Sequence, residues 1–328
     1  MSYIRLCVLG SVLGISSIAC SPPKDSTIVP TKTKPTVYTT SFPVEYLVQR
    51  LAGELVDDSC ILPIGEDAAF WKPSSDIVVQ VQSGDAIISN GAGFESWMQT
   101  ASLPSSKIVD GSRGIDLIHM QGQTHSHGKG GAHSHGETDP HTWSDPTIYL
   151  QQARNIHTAL QRLLPNERSV LDENLAKLEK ELQELATDYH DALVPLATVS
   201  FAANHPSFSY IMRANNIAIQ NFVFEPEEKQ SVEVMGKYTE WAKDKDMQVV
   251  LWEAEAHADA IADFDTTVIH QYIDPLEQPI DDHNPNTIDV YDYLEQSRMN
   301  IRRFRDLTQV IATRTANKEP TQENIAPQ

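Results

Sequence analysis

The chain of 328 residues carries 25 Lys and Arg against 45 Asp and Glu, a formal net charge of −20. An excess of acid on this scale repels phosphate backbones and anionic headgroups, which excludes electrostatic nucleic-acid binding and a charge-driven grip on lipid. With 40% hydrophobic residues, 15 Gly and 19 Pro the composition is that of a globular protein, and no apolar run reaches the roughly 18–20 residues of a membrane-spanning helix.

In chain order, Arg5 precedes an apolar run over 6–19 that closes on Ser17-Ile18-Ala19 before Cys20. This is the layout of an export signal, residues 1–19. The lone Cys after a small residue resembles a bacterial lipobox, with Ser17 where Leu is usual. The resemblance implies acylation of Cys20 and a membrane anchor; an ordinary signal peptide cut at the same bond is the alternative. Both place the protein outside the cytoplasm, in the periplasm or at the cell surface. Once the signal is removed, Cys20 and Cys60 are the remaining cysteines, too few for a disulfide framework or a thiolate metal site. Residues 20–35, rich in Pro, Lys, Ser and Thr, read as a flexible tether.

An N-terminal lobe is expected over 36–165, with strands at 36–42, 86–90 and 107–110 and a helix over 44–55. Next come Leu171, Leu175, Leu178, Leu182, Leu185 and Tyr189, spaced by 4, 3, 4, 3 and 4. That stripe predicts one unbroken helix within a linking segment 166–195, about 36 Å long and stopped by Pro195. A coiled-coil dimer helix is the competing reading of the stripe. Strands at 197–202, 218–223, 247–252 and 267–272 set out a C-terminal lobe over 196–315, and 316–328 reads as a disordered tail. The expected fold class is α/β: two α/β lobes with parallel sheets joined by one long helix, in a monomer.

Six of the 12 histidines fall between His119 and His141. The segment Thr124 to Gly136, with two His-Ser-His-Gly units among glycines, has too little apolar surface to pack and is expected as an exposed, mobile loop spanning 119–138. Imidazoles on such a loop, His119, His125, His127, His133 and His135, suit weak capture of a metal such as Zn²⁺. A solvated low-complexity insertion and a copper or proton role stay open.

The loop runs into Asp139-Pro140-His141-Thr142-Trp143; further on stand Asn204-His205-Pro206-Ser207-Phe208-Ser209-Tyr210 and Tyr272-Ile273-Asp274-Pro275-Leu276. Through these segments the sequence resembles, over about 36–312, the periplasmic zinc-binding receptors of ABC importers, within the metal-specific cluster of substrate-binding proteins. The resemblance implies His141, His205 and Asp274 as metal ligands, Zn²⁺ as transported cargo, an ABC permease as partner and no enzymatic activity. His205, where manganese receptors usually carry Glu, points to zinc. Glu225-Pro226-Glu227 matches a family turn that does not bind metal.

One segment departs from the family pattern. Gly65-Glu66-Asp67-Ala68-Ala69-Phe70-Trp71-Lys72-Pro73-Ser74 has Ala69 where the family has a ligating His. Zn²⁺ prefers four ligands, and a water, Glu66 or the loop's His135 is the candidate fourth. The competing readings are a site that has lost tight binding, a manganese or iron receptor of the same fold, and a zinc hydrolase exploiting an open fourth position. Against the last, the chain has no HExxH motif. His257, near Glu253 and Glu255, is a candidate for a second site; His157, His190 and His270 lack supporting context, and Trp71, Trp97 and Trp143 read as core and cleft walls.

Overall fold

The computed structural model describes residues 34–120, 124–126, 132–134, 138–280 and 291–318. Lys34–Gln328 forms one compact unit; Met1–Thr33, where the export signal, Cys20 and most of the tether are expected, lies outside the described residues. The first half runs β1 (Thr36–Thr39), α1 (Phe42–Ala52), β2 (Asp57–Cys60), α2 (Ser75–Ser83), β3 (Ala86–Ser89), β4 (Ile108–Asp110), β5 (Thr124–Ser126), β6 (Ala132–Ser134), α3 (Pro146–Leu163) and α4 (Arg168–Leu193). The second half runs β7 (Ser200–Ala203), α5 (Ser209–Ala214), β8 (Ile219–Asn221), α6 (Val232–Ala242), β9 (Gln248–Trp252), α7 (Ala258–Ile261), β10 (Ile269–Tyr272) and α8 (Tyr293–Lys318).

Two parallel sheets result, ordered β2-β1-β3-β4 and β10-β9-β7-β8. Their central strands are uninterrupted apolar runs: Ala86 to Ile88 of β3 and Val249 to Trp252 of β9 are fully buried, as strands covered on both faces by helices must be. The seven strands read from sequence are all present, six of them trimmed and β7 displaced from 197–202 to Ser200–Ala203. β2 was not expected. Its sequence Asp-Asp-Ser-Cys has no β-branched residue, and it forms because β1 offers it a free edge.

Helix starts follow local chemistry. Asp145 accepts from Thr147 N at 2.8 Å to cap α3, with Pro146 in the first turn, and Ser231 accepts from Val234 N at 3.2 Å to cap α6. The predicted long helix is α4, 26 residues and so about 39 Å long. Its stripe of Leu171, Leu178, Leu182, Leu185 and Tyr189 is buried, packed within the chain against α1, α3 and α8, which leaves the dimer reading without an apolar seam.

Between β4 and α3, His119 bridges Thr138 and, beyond that neck, β5 pairs antiparallel with β6, His125 opposite His133. This differs from the unstructured loop expected: the mirrored Thr-His-Ser and Ala-His-Ser triplets flank a glycine-rich centre and can form a short ladder. Because both main sheets are parallel, the carboxyl ends of β1, β3, β7, β9 and β10 all hand over to loops that can converge on a ligand.

Candidate metal centre

His141 opens the short 3₁₀ turn Thr142–Ser144 and is 1% exposed. Its ring Nδ1 lies 2.7 Å from Asp139 Oδ1, which also accepts from the His141 backbone N–H at 3.0 Å. A carboxylate only accepts, so Nδ1 carries the proton and Nε2 is turned toward the cleft, 3.4 Å from Glu277 Oε1. Asp139 is itself fixed: its N–H donates to Ile118 O and its carbonyl accepts from the Tyr210 hydroxyl at 2.7 Å.

His205 follows β7 and opens the turn Pro206–Phe208. Its Nδ1 lies 2.6 Å from Glu253 Oε1 and 2.9 Å from Ser207 Oγ, and the Ser207 hydroxyl also donates to Glu253. Glu253 stands one residue past β9, its N–H on Asn204 Oδ1 at 3.1 Å. The rings of His141 and His205 come within 4.8 Å centroid to centroid, at an interplanar angle of 87°.

Between them is a cavity of about 60 Å³ lined by Asp67, Ala69, Phe94, His141, His205, Glu253 and Glu277. That volume admits one ion and about one water. Two imidazoles and three carboxylates face it, a donor set suited to a divalent cation. Burial would lower the His141 imidazole, but Asp139 above all, with Glu277 and Glu253, raises it to about 9. Burial pushes the Glu277 carboxyl well up; His141 opposes this, while Asp67, Glu253 and Asp274 add to it. Crowded negative charge raises His141 and adds to the effect of burial on Glu277, and a bound cation would relieve that crowding. Among the described residues no three of these donors stand around one common point. Glu277 contacts His141 and Glu253 contacts His205, so an arriving ion must replace the first of these contacts.

The structure brings His141 and His205 together, and Ala69 faces the same cavity with only a methyl group. Asp274 is not among the cavity residues. Its Oδ1 accepts from Leu276 N at 2.8 Å and its Oδ2 from Gln296 Nε2 at 3.4 Å, while its backbone N–H and C=O bond both ends of the Asn300 amide. These bonds fold the turn, with Leu276 at φ 62°, so that Glu277 rather than Asp274 reaches the cavity. Glu66 is exposed and does not line the cavity; its neighbour Asp67 does.

His119 is exposed at the neck of the loop. His127 and His135 lie outside the described residues, and only the backbone pairing of His125 and His133 is described. His257 is exposed at the start of α7, His157 binds Asp172 at 2.9 Å, His190 lies 3.1 Å from Asn215, and His270 accepts from Trp252. Glu253 and Glu277 went unassigned in the sequence. Glu253 could have been found from its place at the carboxyl end of a buried parallel strand.

The fold and this cleft define a two-lobed α/β protein with a cation-type site at the carboxyl ends of its strands. The chain belongs to the family described as zinc-uptake complex component A, periplasmic, whose model matches residues 37–307. It is similar to the high-affinity zinc uptake system protein ZnuA of Bacillus subtilis, 23% identical over 235 residues covering 69% of this chain and 73% of that protein. It is 22% identical over 259 residues to the zinc-binding lipoprotein AdcA of Streptococcus pneumoniae, covering 76% of this chain and 50% of AdcA. The chain thus spans about half the length of AdcA. Among solved structures, the metal-dependent lipoprotein YcdH from Bacillus subtilis superposes with a TM-score of 0.68 at 20% identity, over 83% of this chain and 98% of that one.

Proposed function

We propose that this protein is an exported zinc receptor that holds one Zn²⁺ in the cleft and delivers it to the permease of an ABC-type metal importer, performing no chemistry on the ion. The observation that carries the reading is the pairing of His141 and His205. Each Nδ1 is held by a carboxylate, Asp139 or Glu253, and the two rings face the same cavity 4.8 Å apart. Metal-binding histidines are oriented in this way by the partner of their other nitrogen. Glu277 is the third ligand, and Asp67, a water or a histidine of the 119–138 loop completes the set. The loop gathers ions weakly and raises their local concentration. Cys20 carries the lipid that tethers the receptor, as a monomer, to the membrane.

Calorimetric titration of the mature protein with Zn²⁺ tests this. One tight site is expected, and His141→Ala or His205→Ala should weaken it by about an order of magnitude or more; wild-type affinity in both would sink the assignment. Fractionation of cells carrying Cys20→Ser should move the protein from the membrane to the soluble pool. The oxygen-rich lining, three carboxylates to two imidazoles, favours one second reading, a receptor that also takes the harder Mn²⁺ or Fe²⁺. Competition between Zn²⁺ and Mn²⁺ in the same titration decides between them.

A further inference from the structure

The cavity has a wall that the ligands do not explain. Asp67 and Ala69 come from the segment 63–71, of which Pro63, Ile64, Gly65 and Glu66 are exposed. Little holds this end of the segment: Glu66 N donates back to Pro63 O at 3.2 Å. Among the described residues, the hydrogen bonds that tie 63–66 to the rest of the protein both come from Gln278. Its Oε1 accepts from Gly65 N at 3.1 Å and its Nε2 donates to Glu66 O at 2.8 Å. One amide thus satisfies a backbone donor and a backbone acceptor in neighbouring peptide units, as a strand partner would.

Gln278 is anchored at its other end. Its own carbonyl accepts from Gln296 Nε2 of α8 at 2.8 Å, and the same amide reaches Asp274 Oδ2. It is also the residue after Glu277, whose Oε1 faces His141. Behind Glu277 the seam between the two segments is lined by Leu62, Ala68, Trp143 and Gln278 and is closed to water. The ordered path is therefore α8, the 274–278 turn, the Gln278 amide, then the 63–71 segment that walls the cavity.

We infer that Gln278 is a positioning residue that sets how fast the bound cation leaves. Resting on the receptor reading above, it straps the wall bearing Asp67 and Ala69 to the turn bearing Glu277. An ion held by Glu277, His141 and His205 cannot escape on this side until the wall parts from the turn, and both amide bonds must break for that to happen. Gln278 does not touch the ion. Gly65, at φ 82°, gives the strap its seat by turning its N–H toward the amide.

The test is release of Zn²⁺ from loaded protein into excess chelator, followed by stopped flow, for wild type, Gln278→Ala and Gln278→Met. Methionine keeps the length and volume of the side chain and removes both hydrogen bonds. Release should be about tenfold faster in both variants, the effect of two partly exposed hydrogen bonds. Exchange of the Gly65 amide, measured by NMR on the same proteins, should accelerate as well, with the thermal midpoint of the metal-free protein little changed. Unchanged release in both variants overturns the inference, and so does faster release in Gln278→Ala alone, which would assign the effect to packing. A wild-type protein that takes up no zinc removes the receptor reading and this inference together. Zinc uptake with unaltered release in the variants removes only the strap.

Discussion

Trp143 donates its indole N–H to the carbonyl of Pro275 at 3.0 Å. The indole is fully buried, packed at a tilt against Phe94 and edge-on to His141, and the carbonyl belongs to the turn that presents Glu277. The residue two places after His141 therefore ties its segment to the turn that carries Glu277.

Trp143→Phe keeps most of the buried volume and leaves the Pro275 carbonyl without this donor. Urea unfolding should show a loss of about 1–3 kcal/mol, the cost of a buried polar group left unsatisfied plus a small cavity. Zinc affinity should fall by a further few-fold because Glu277 loses its fixed position. Unaltered affinity with lowered stability would separate the indole from the site.

Asp274 and Glu277 are distinguished by paired variants. Glu277→Gln removes a charge from the cavity wall and should weaken zinc binding about tenfold or more. Asp274→Asn keeps an oxygen to accept from Leu276 N–H, so the turn survives and affinity should stay within about threefold of wild type. The reverse ranking in calorimetry would return Asp274 to the ligand set.

Ala69 lines the cavity, so Ala69→His adds a third imidazole to its wall. Tighter zinc binding, by about tenfold, is expected from an ordered nitrogen ligand in place of water. Equal or weaker binding would mean that position 69 faces the cavity without reaching the ion.

His270 makes stability depend on pH. Burial, with Arg314 adding to it, lowers its imidazole to about 4, against about 6.5 in an unfolded chain. Its Nδ1 accepts from Trp252 Nε1 at 3.1 Å, a bond that only the neutral ring can make. Between pH 4 and 6.5 the unfolded chain binds the proton and the folded chain does not, so stability rises with pH across that window and is lost as pH falls. His270→Gln keeps an acceptor for the indole and cannot titrate. Denaturation curves at pH 4.5 and 7 should differ by about 2 kcal/mol less in the variant than in wild type.

What the sequence made legible follows physical lines. The central strands and α4 were readable because their apolar patterns have one interpretation each, a buried run and a stripe at helical spacing. β2 was not, since an edge strand of Asp-Asp-Ser-Cys is stabilised by its neighbour rather than by its own residues. His141 and His205 lie inside distinctive segments. Glu277 lies in none: it reaches the cavity because Asp274 spends its carboxylate on the turn and Leu276 adopts a left-handed backbone, and neither is written in residue spacing. Asp139 and Glu253 as holders of the two imidazoles depend on contacts that only the folded chain creates.

The core has no break between the sheets. Val37 and Ile88 of the first, Leu178 and Leu182 of α4, and Phe201 and Leu251 of the second belong to one buried cluster. Lobes that share their interior melt in a single cooperative step. An ion bound at their common rim, at a free concentration a hundred times its Kd, adds about 2.7 kcal/mol to the whole folded unit. A protease that must wait for global opening would therefore find loaded protein harder to cut everywhere, at the outer strand β2 as much as beside the cleft, and the lifetime of the protein would track its zinc supply.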